Sequence, residues 1–155
     1  MTGRGTTKPR GVNRVTIALK DLDKGITLYS RLLGATFHDQ STSAEPYGLR
    51  CAISCDVGIE LVAPLPGRDS FAEKHIAKYG DGLMGVVATV DDVDEGRQGA
   101  EGMGIGALSL IEYDKNQIRE YHQDMFKKYK EYMLNPADIY GVGMVLGQIE
   151  PRQAV

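Results

Sequence analysis

The chain has almost no cysteine, no long apolar run and no large surplus of charge of either sign. Its two cysteines, Cys51 and Cys55, stand four residues apart in the run GLRCAISCD. On an extended strand that spacing is about 13 Å, beyond the roughly 7 Å that a disulfide tolerates. They read as two small buried residues on one strand face, compatible with a reducing compartment. Charged residues make up 25% of the chain and the net charge is −3, which leaves no field for nucleic acid or an anionic membrane surface, so neither is expected as a partner. No apolar segment comes near the ~20 residues of a membrane span. The first ten residues, MTGRGTTKPR, lack the apolar core of a secretion signal and read as a loose basic tail. The expected compartment is the cytoplasm. A chain of 155 residues is one domain by prior and can bury roughly 70% of its unfolded surface without a staple.

What the chain does have is a repeat. Residues 17–26 read IALKDLDKGI and residues 88–97 read ATVDDVDEGR, without a gap and at an offset of 71. Each copy is a short apolar run, an acid placed to cap a helix, and the helix. A period this close to half the chain points to two copies of one supersecondary unit.

In order, 12–19 alternates on a strand period, with Val15, Ile17 and Leu19 on the apolar face and Arg14, Thr16 and Ala18 on the other. Asp21 caps a helix carrying Leu22, Ile26, Tyr29 and Leu33 at helical spacing, and Gly34 stops it. A strand over 35–40, a turn over 41–47 and strands over 49–55 and 57–63 complete a βαβββ module at 12–65. A linker at 66–80 holds a short helix capped by Asp69 or Ser70. The second module, 81–150, repeats the pattern: a strand over 83–90, a helix capped by Asp92 and weakened by Gly96 and Gly99, then strands over 108–113, 129–135 and 142–149. Residues 114–128 have no counterpart in the first module and read as an inserted helix or lid. The residues around Glu60 meet those around Val145 at an offset of 85, which is 14 more than the repeat and about the length of that insertion. Gly102, Gly104 and Gly106 mimic part of a nucleotide fingerprint but follow a helix and precede a strand, the wrong order for phosphate binding.

A βαβββ unit given twice, with DLDKGITLYSRLLG in the first copy and GDGLMGVVATVDDVDE in the second, resembles the vicinal oxygen chelate superfamily of glyoxalase I, extradiol dioxygenases, bleomycin-resistance proteins and methylmalonyl-CoA epimerase. The middle stretch IELVAPLPGRDSFAEKHIAKYGDGL looks most like the epimerase branch. The resemblance implies an α+β fold, two tandem βαβββ modules forming a curved mixed sheet around a cleft, and a homodimer. In metal-using members the ligands come from the first and fourth strands of each module. Carried onto this chain, the positions are Arg14, Gly85, Glu60 and Val145, of which only Glu60 can bind a metal. A shifted alignment places Gln148 at the fourth position and still supplies no histidine. The resemblance therefore implies a cleft without its metal and no cofactor, in which Arg14 and Glu60 carry the chemistry. Glu45, one place out of register with the epimerases' turn glutamate, is a further catalytic candidate. Thr16, Gly85, Val87, Tyr121, His122 and Val145 are candidates for contact with a small-molecule substrate.

Three readings stay open. The first is a metal-independent isomerase, epimerase or dehydratase (lyase) that shifts a proton on a small carboxylic or acyl-thioester substrate. The second is a binding protein of the bleomycin-resistance type, favoured by the small and apolar Gly85 and Val145. The third is a metal-dependent methylmalonyl-CoA epimerase-like enzyme.

Overall fold

The computed structural model describes residues 7–152 of the chain. They form two compact units, residues 14–85 and residues 86–152 together with 7–13. Each contains one copy of the repeat.

In the unit of residues 14–85 the strands are β1 (Pro9–Ala18, whose first half belongs to the other unit), β2 (His38–Asp39), β3 (Leu49–Ser54) and β4 (Ile59–Pro64), ordered β2-β3-β4-β1. Strand β1 runs parallel to β4, with Thr16 opposite Glu60 and Ile17 opposite Leu61, and β3 pairs antiparallel with β4. Helix α1 (Leu22–Leu33) covers one face of these strands. Its N-cap Asp21 accepts from the Lys24 amide at 3.0 Å, and Gly34 ends it in the left-handed conformation at φ 67°. Leu22, Ile26 and Tyr29 pack with Leu19, Ala52, Leu61 and Ala63 beneath that helix. Gly25 lets the helix approach this closely, since a Cβ there would stand 2.7 Å from Leu19 Cδ2. Across the strands, α3 (Phe71–Tyr79), capped by Ser70, packs Ala72 and Ile76 against Ala18, Leu49, Cys51 and Val62.

The other unit repeats the order as β5-β8-β7-β6, with β5 Gly82–Val90 (whose first four residues belong to the unit of residues 14–85), β6 Ala107–Glu112, β7 Phe126–Leu134 and β8 Gly143–Pro151. Helix α4 (Val93–Gly102) takes the place of α1, capped by Asp92. Gly96, a helix-weakening residue in the sequence, is the counterpart of Gly25, and a Cβ there would meet Leu146 Cδ1 at 3.5 Å. A polar network then ties α4 to β7: Tyr132 Oη donates to Asp94 Oδ1 at 2.7 Å and Lys130 Nζ to Asp94 Oδ2 at 3.0 Å. The insertion forms α5 (Lys115–His122), entered through a capping box at Asp114 and Gln117 and left through two residues at positive φ, Gln123 and Asp124. No helix among the described residues is long and apolar enough to cross a membrane.

Several boundaries differ from the sequence reading. Residues 7–11 are anchored: Lys8 O accepts from the Asp91 amide, Thr7 Oγ1 from the Asp92 amide, and Arg10 pairs with Asp91. The rest of the expected tail, residues 1–6, lies outside the described residues. The turn at 41–47 is wound into a short helix α2 (Ser41–Ala44) and a 3-10 turn (Glu45–Tyr47), because Asp39 Oδ1 accepts from the Ser41 amide and Ser43 Oγ bonds Gln40 O. Leu33 is 48% exposed, one turn beyond the last strand contact of α1. Cys51 is buried as expected, whereas Cys55 falls past the end of β3 and is exposed.

Leu61 has no exposed surface, so Leu61→Ala is expected to cost about 2–5 kcal/mol in denaturant unfolding. The hydrogen bond from Tyr132, then that from Lys130, holds the Asp94 carboxyl below its usual pKa. A carboxylate depressed in the folded state contributes stability that is complete above its unfolded pKa, near 4, and is lost as pH falls through the folded value. Asp94→Asn should therefore flatten the acid limb of a pH–stability profile and leave its slope near neutral pH unchanged.

Candidate functional site

Strand alternation divides β1 between two environments. Ile17 and Leu19 join the core under α1, which turns Arg14 and Thr16 to the opposite face, and the parallel register brings Glu60 of β4 to that same face. Arg14 Nε and Nη2 both reach Glu60 Oε2, at 3.2 and 3.1 Å. Thr16 Oγ1 donates to Glu60 Oε1 at 2.9 Å, and the Cys51 thiol on β3 approaches Oε2 at 3.8 Å. The side chains of Arg14 and Glu60 are 6% and 14% exposed. A guanidinium and a carboxylate this far out of water interact much more strongly than a surface pair, at a matching desolvation cost. Chemically the arrangement is an oriented carboxylate beside a permanent cation with N–H donors, able to accept a proton and to hold an oxyanion.

The candidates in the unit of residues 14–85 thus separate. Arg14, Thr16 and Glu60 come together, and Thr16, a candidate for substrate contact in the sequence, donates to the Glu60 carboxylate. Glu45 is exposed on the 3-10 turn, where its backbone carbonyl accepts from Arg68 and from the Gly48 amide. Gly85 is buried within β5.

In the other unit, Val87 is 1% exposed and Val145, half-buried, lies opposite Met133 of β7. Two places along, Glu131 of β7 lies opposite Gly147 and is buried. A Cβ on Gly147 would stand 3.5 Å from Val87 Cγ1, so Val87, Val145 and Glu131 share one face. The sequence reading passed over Glu131; the signal was an acid at an apolar-phase position of the strand, in step with Tyr129 and Met133. Gln148 belongs to the opposite face. It lies across from Lys130, and its Oε1 accepts from the Val93 amide at 3.2 Å, so it caps α4 and does not fill the fourth ligand position that a shifted alignment gave it. His122 at the end of α5 is enclosed by rings: it stacks on Tyr129 at 4.6 Å and 19°, with Phe126 at 5.4 Å and Tyr113 at 5.5 Å. Tyr121 stays half-buried, edge-on to Tyr113 at 5.3 Å.

No protein-family model and no curated protein sequence matches the chain. Solved structures do. Methylmalonyl-CoA epimerase from Mycobacterium tuberculosis aligns with a TM-score of 0.72 at 23% identity, covering 96% of this chain and 92% of that one. A methylmalonyl-CoA epimerase in complex with methylmalonyl-CoA and NH4+ aligns at 0.73 and 23%, covering 94% and 100%. A hypothetical protein from Bacillus halodurans aligns at 0.69 and 17%, covering 97% and 98%. The chain has the vicinal oxygen chelate fold. At these identities the likeness concerns architecture, and the chemistry has to come from the residues that this example of the vicinal oxygen chelate fold carries on its strand faces.

Breaking a buried pair by removing one partner costs more than the pair is worth intact. Glu60→Ala should therefore destabilise the protein by up to about 3–5 kcal/mol, while the double substitution of Arg14 and Glu60 by methionine should recover much of that loss. Urea unfolding of the two single variants and the double variant measures the coupling.

Proposed function

We propose that this protein is a metal-independent enzyme of the vicinal oxygen chelate type that shifts a proton on a small carboxylic or acyl-thioester substrate. The observation that carries the reading is the buried Arg14–Glu60 pair, with Thr16 on the second carboxylate oxygen. The residues that the resemblance sets at the four ligand positions do not suit a divalent ion. Arg14, Gly85 and Val145 offer no metal-binding atom, and both oxygens of Glu60 already accept from Arg14 and Thr16. A fixed guanidinium takes over the task that a Lewis acid performs elsewhere, stabilising charge on a substrate oxygen.

In the reaction the C–H bond next to the carbonyl breaks and its electron pair moves into an enolate whose oxygen takes N–H bonds from Arg14. Glu60 receives the proton and returns it to carbon. Thr16 is a positioning residue that fixes the carboxylate plane. The structural neighbour in complex with methylmalonyl-CoA supports the acyl-thioester class. The apolar face formed by Val87 and Val145 favours a second reading, a protein that binds a small molecule and leaves it unchanged.

Incubation in D2O with a panel of acyl thioesters and carboxylic acids bearing an acidic α C–H separates the two. Deuterium should enter the substrate by mass spectrometry, and Glu60→Gln should slow exchange by about 10²–10⁴-fold. Tight binding of a panel member recovered without deuterium would favour the second reading. Exchange that requires a stoichiometric divalent ion would overturn the claim of metal independence.

A further inference from the structure

We propose that one flank of α3 holds the phosphorylated nucleotide of a coenzyme A thioester whose acyl group lies at Glu60, an inference that rests on the reaction assigned above. Helix α3 covers the strand face that carries the Arg14–Glu60 pair. Its Ala72 and Ile76 share a buried cluster with Ala18, Cys51 and Val62, and the Cys51 thiol is the group that approaches Glu60 Oε2 at 3.8 Å. A single side chain thus links the helix to the carboxylate. Helix α1 lies on the opposite face of the same strands.

At roughly 3.6 residues per turn, Lys74, Lys78, Phe71, His75 and Tyr79 fall on one flank of α3, beside its buried stripe of Ala72 and Ile76. Phe71 and Tyr79 are 37% and 65% exposed. The His75 ring lies 5.1 Å from that of Tyr79, and Lys78 Nζ stands over the Tyr79 ring at 5.0 Å. Exposed rings offer faces to a purine and ammonium groups pair with phosphate, so a base that takes the Tyr79 ring displaces Lys78 toward the phosphates of the same ligand. Glu73, the one acid of the helix, falls on the other flank. Asp69 pairs with Lys74 at 3.2 Å, an exposed contact of little energetic weight, and Asp81 lies beyond the end of the helix. The flank therefore combines rings with positive charge, which suits a ligand that joins an aromatic base to phosphates. Among acyl thioesters that ligand is one of CoA, whose extended arm exceeds the length of α3, about 13 Å, and so can join the flank to Glu60.

Calorimetric titration of the full chain with free CoA and with pantetheine, which lacks the nucleotide, tests the site without any reaction. CoA should bind at least about tenfold more tightly than pantetheine. Tyr79→Ala should remove about tenfold of that advantage, and Lys78→Glu should remove as much and flatten the dependence on salt. Both positions are exposed, and circular dichroism checks that the variants stay folded. Equal affinity for CoA and pantetheine, or CoA binding indifferent to both variants, would overturn the proposal. CoA binding that depends on α3 in a protein that exchanges no deuterium would uphold this site and sink only the reaction. Deuterium exchange at equal KM for the thioesters of CoA and of pantetheine would do the reverse.

Discussion

The register between β1 and β4 is the constraint on which the candidate site depends. Thr16 lies opposite Glu60 because Ile17 lies opposite Leu61, and Leu61 is locked beneath α1 with no exposed surface. A slip of one residue would turn every side chain of the strand to the other face, driving the Glu60 carboxylate into Leu22 and Ala52 and exposing Leu61. Apolar packing on one side of the sheet therefore fixes polar geometry on the other. Arg14 and Glu60 need no contact with α1 to be held by it, and residues far from any ligand acquire leverage over the carboxylate's position.

The two copies of the repeat use one architecture with different chemistry. Both helices are seated through a glycine at the same repeat position, Gly25 and Gly96, and both begin at an aspartate cap. The first then relies on leucine and isoleucine, whereas the second, short of apolar residues, is fastened by Asp94 to Tyr132 and Lys130 and capped again by Gln148. Its sheet face differs as well. Where the first copy concentrates charge in one pair, the second presents Val87, Val145 and Gly147 with a single buried acid, Glu131, carried by the neighbouring strand. The insertion rests on the same strand through the ring stack of His122 on Tyr129.

Local chemistry was legible in the sequence and long-range pairing was not. Asp21, Asp92 and Ser70 cap helices within three residues of themselves, and the alternation of 12–19 separates Arg14 and Thr16 from Ile17 and Leu19 without reference to any other segment. The repeat also equated Arg14 with Gly85 and, past the insertion, Glu60 with Val145. By contrast, the anchoring of Thr7 and Lys8 depends on Asp91 and Asp92, more than eighty residues away, and no composition rule reports it. Alternation says which residues share a face but not how far a helix covers it, so Leu33 and Cys55 were assigned to the core and are exposed. Gln148 and Glu131 fell on opposite faces for the same reason: the phase of β8 against β7 is set by tertiary pairing, and one step decides whether a polar side chain caps a helix or lines the other side.

A buried ion pair is an expensive way to hold two strands together. Its desolvation penalty offsets most of the Coulombic gain, and well-packed apolar residues of similar volume commonly do as well or better. Strands β1 and β4 already have backbone pairing and the core under α1 to bind them, so stability alone gives no reason for the pair. Its geometry suits another task. Between Arg14 and Glu60, Nε and Nη2 both fall on one carboxylate oxygen, Oε2, while Oε1 is held by Thr16. This is not the symmetrical fork of a structural arginine–carboxylate clamp, in which each oxygen takes its own N–H. An incoming substrate oxygen that competes for the Arg14 donors would relieve Oε2 while Thr16 keeps the carboxylate in plane. In the proposed proton shift, binding the substrate's developing charge and releasing the base would then be one event.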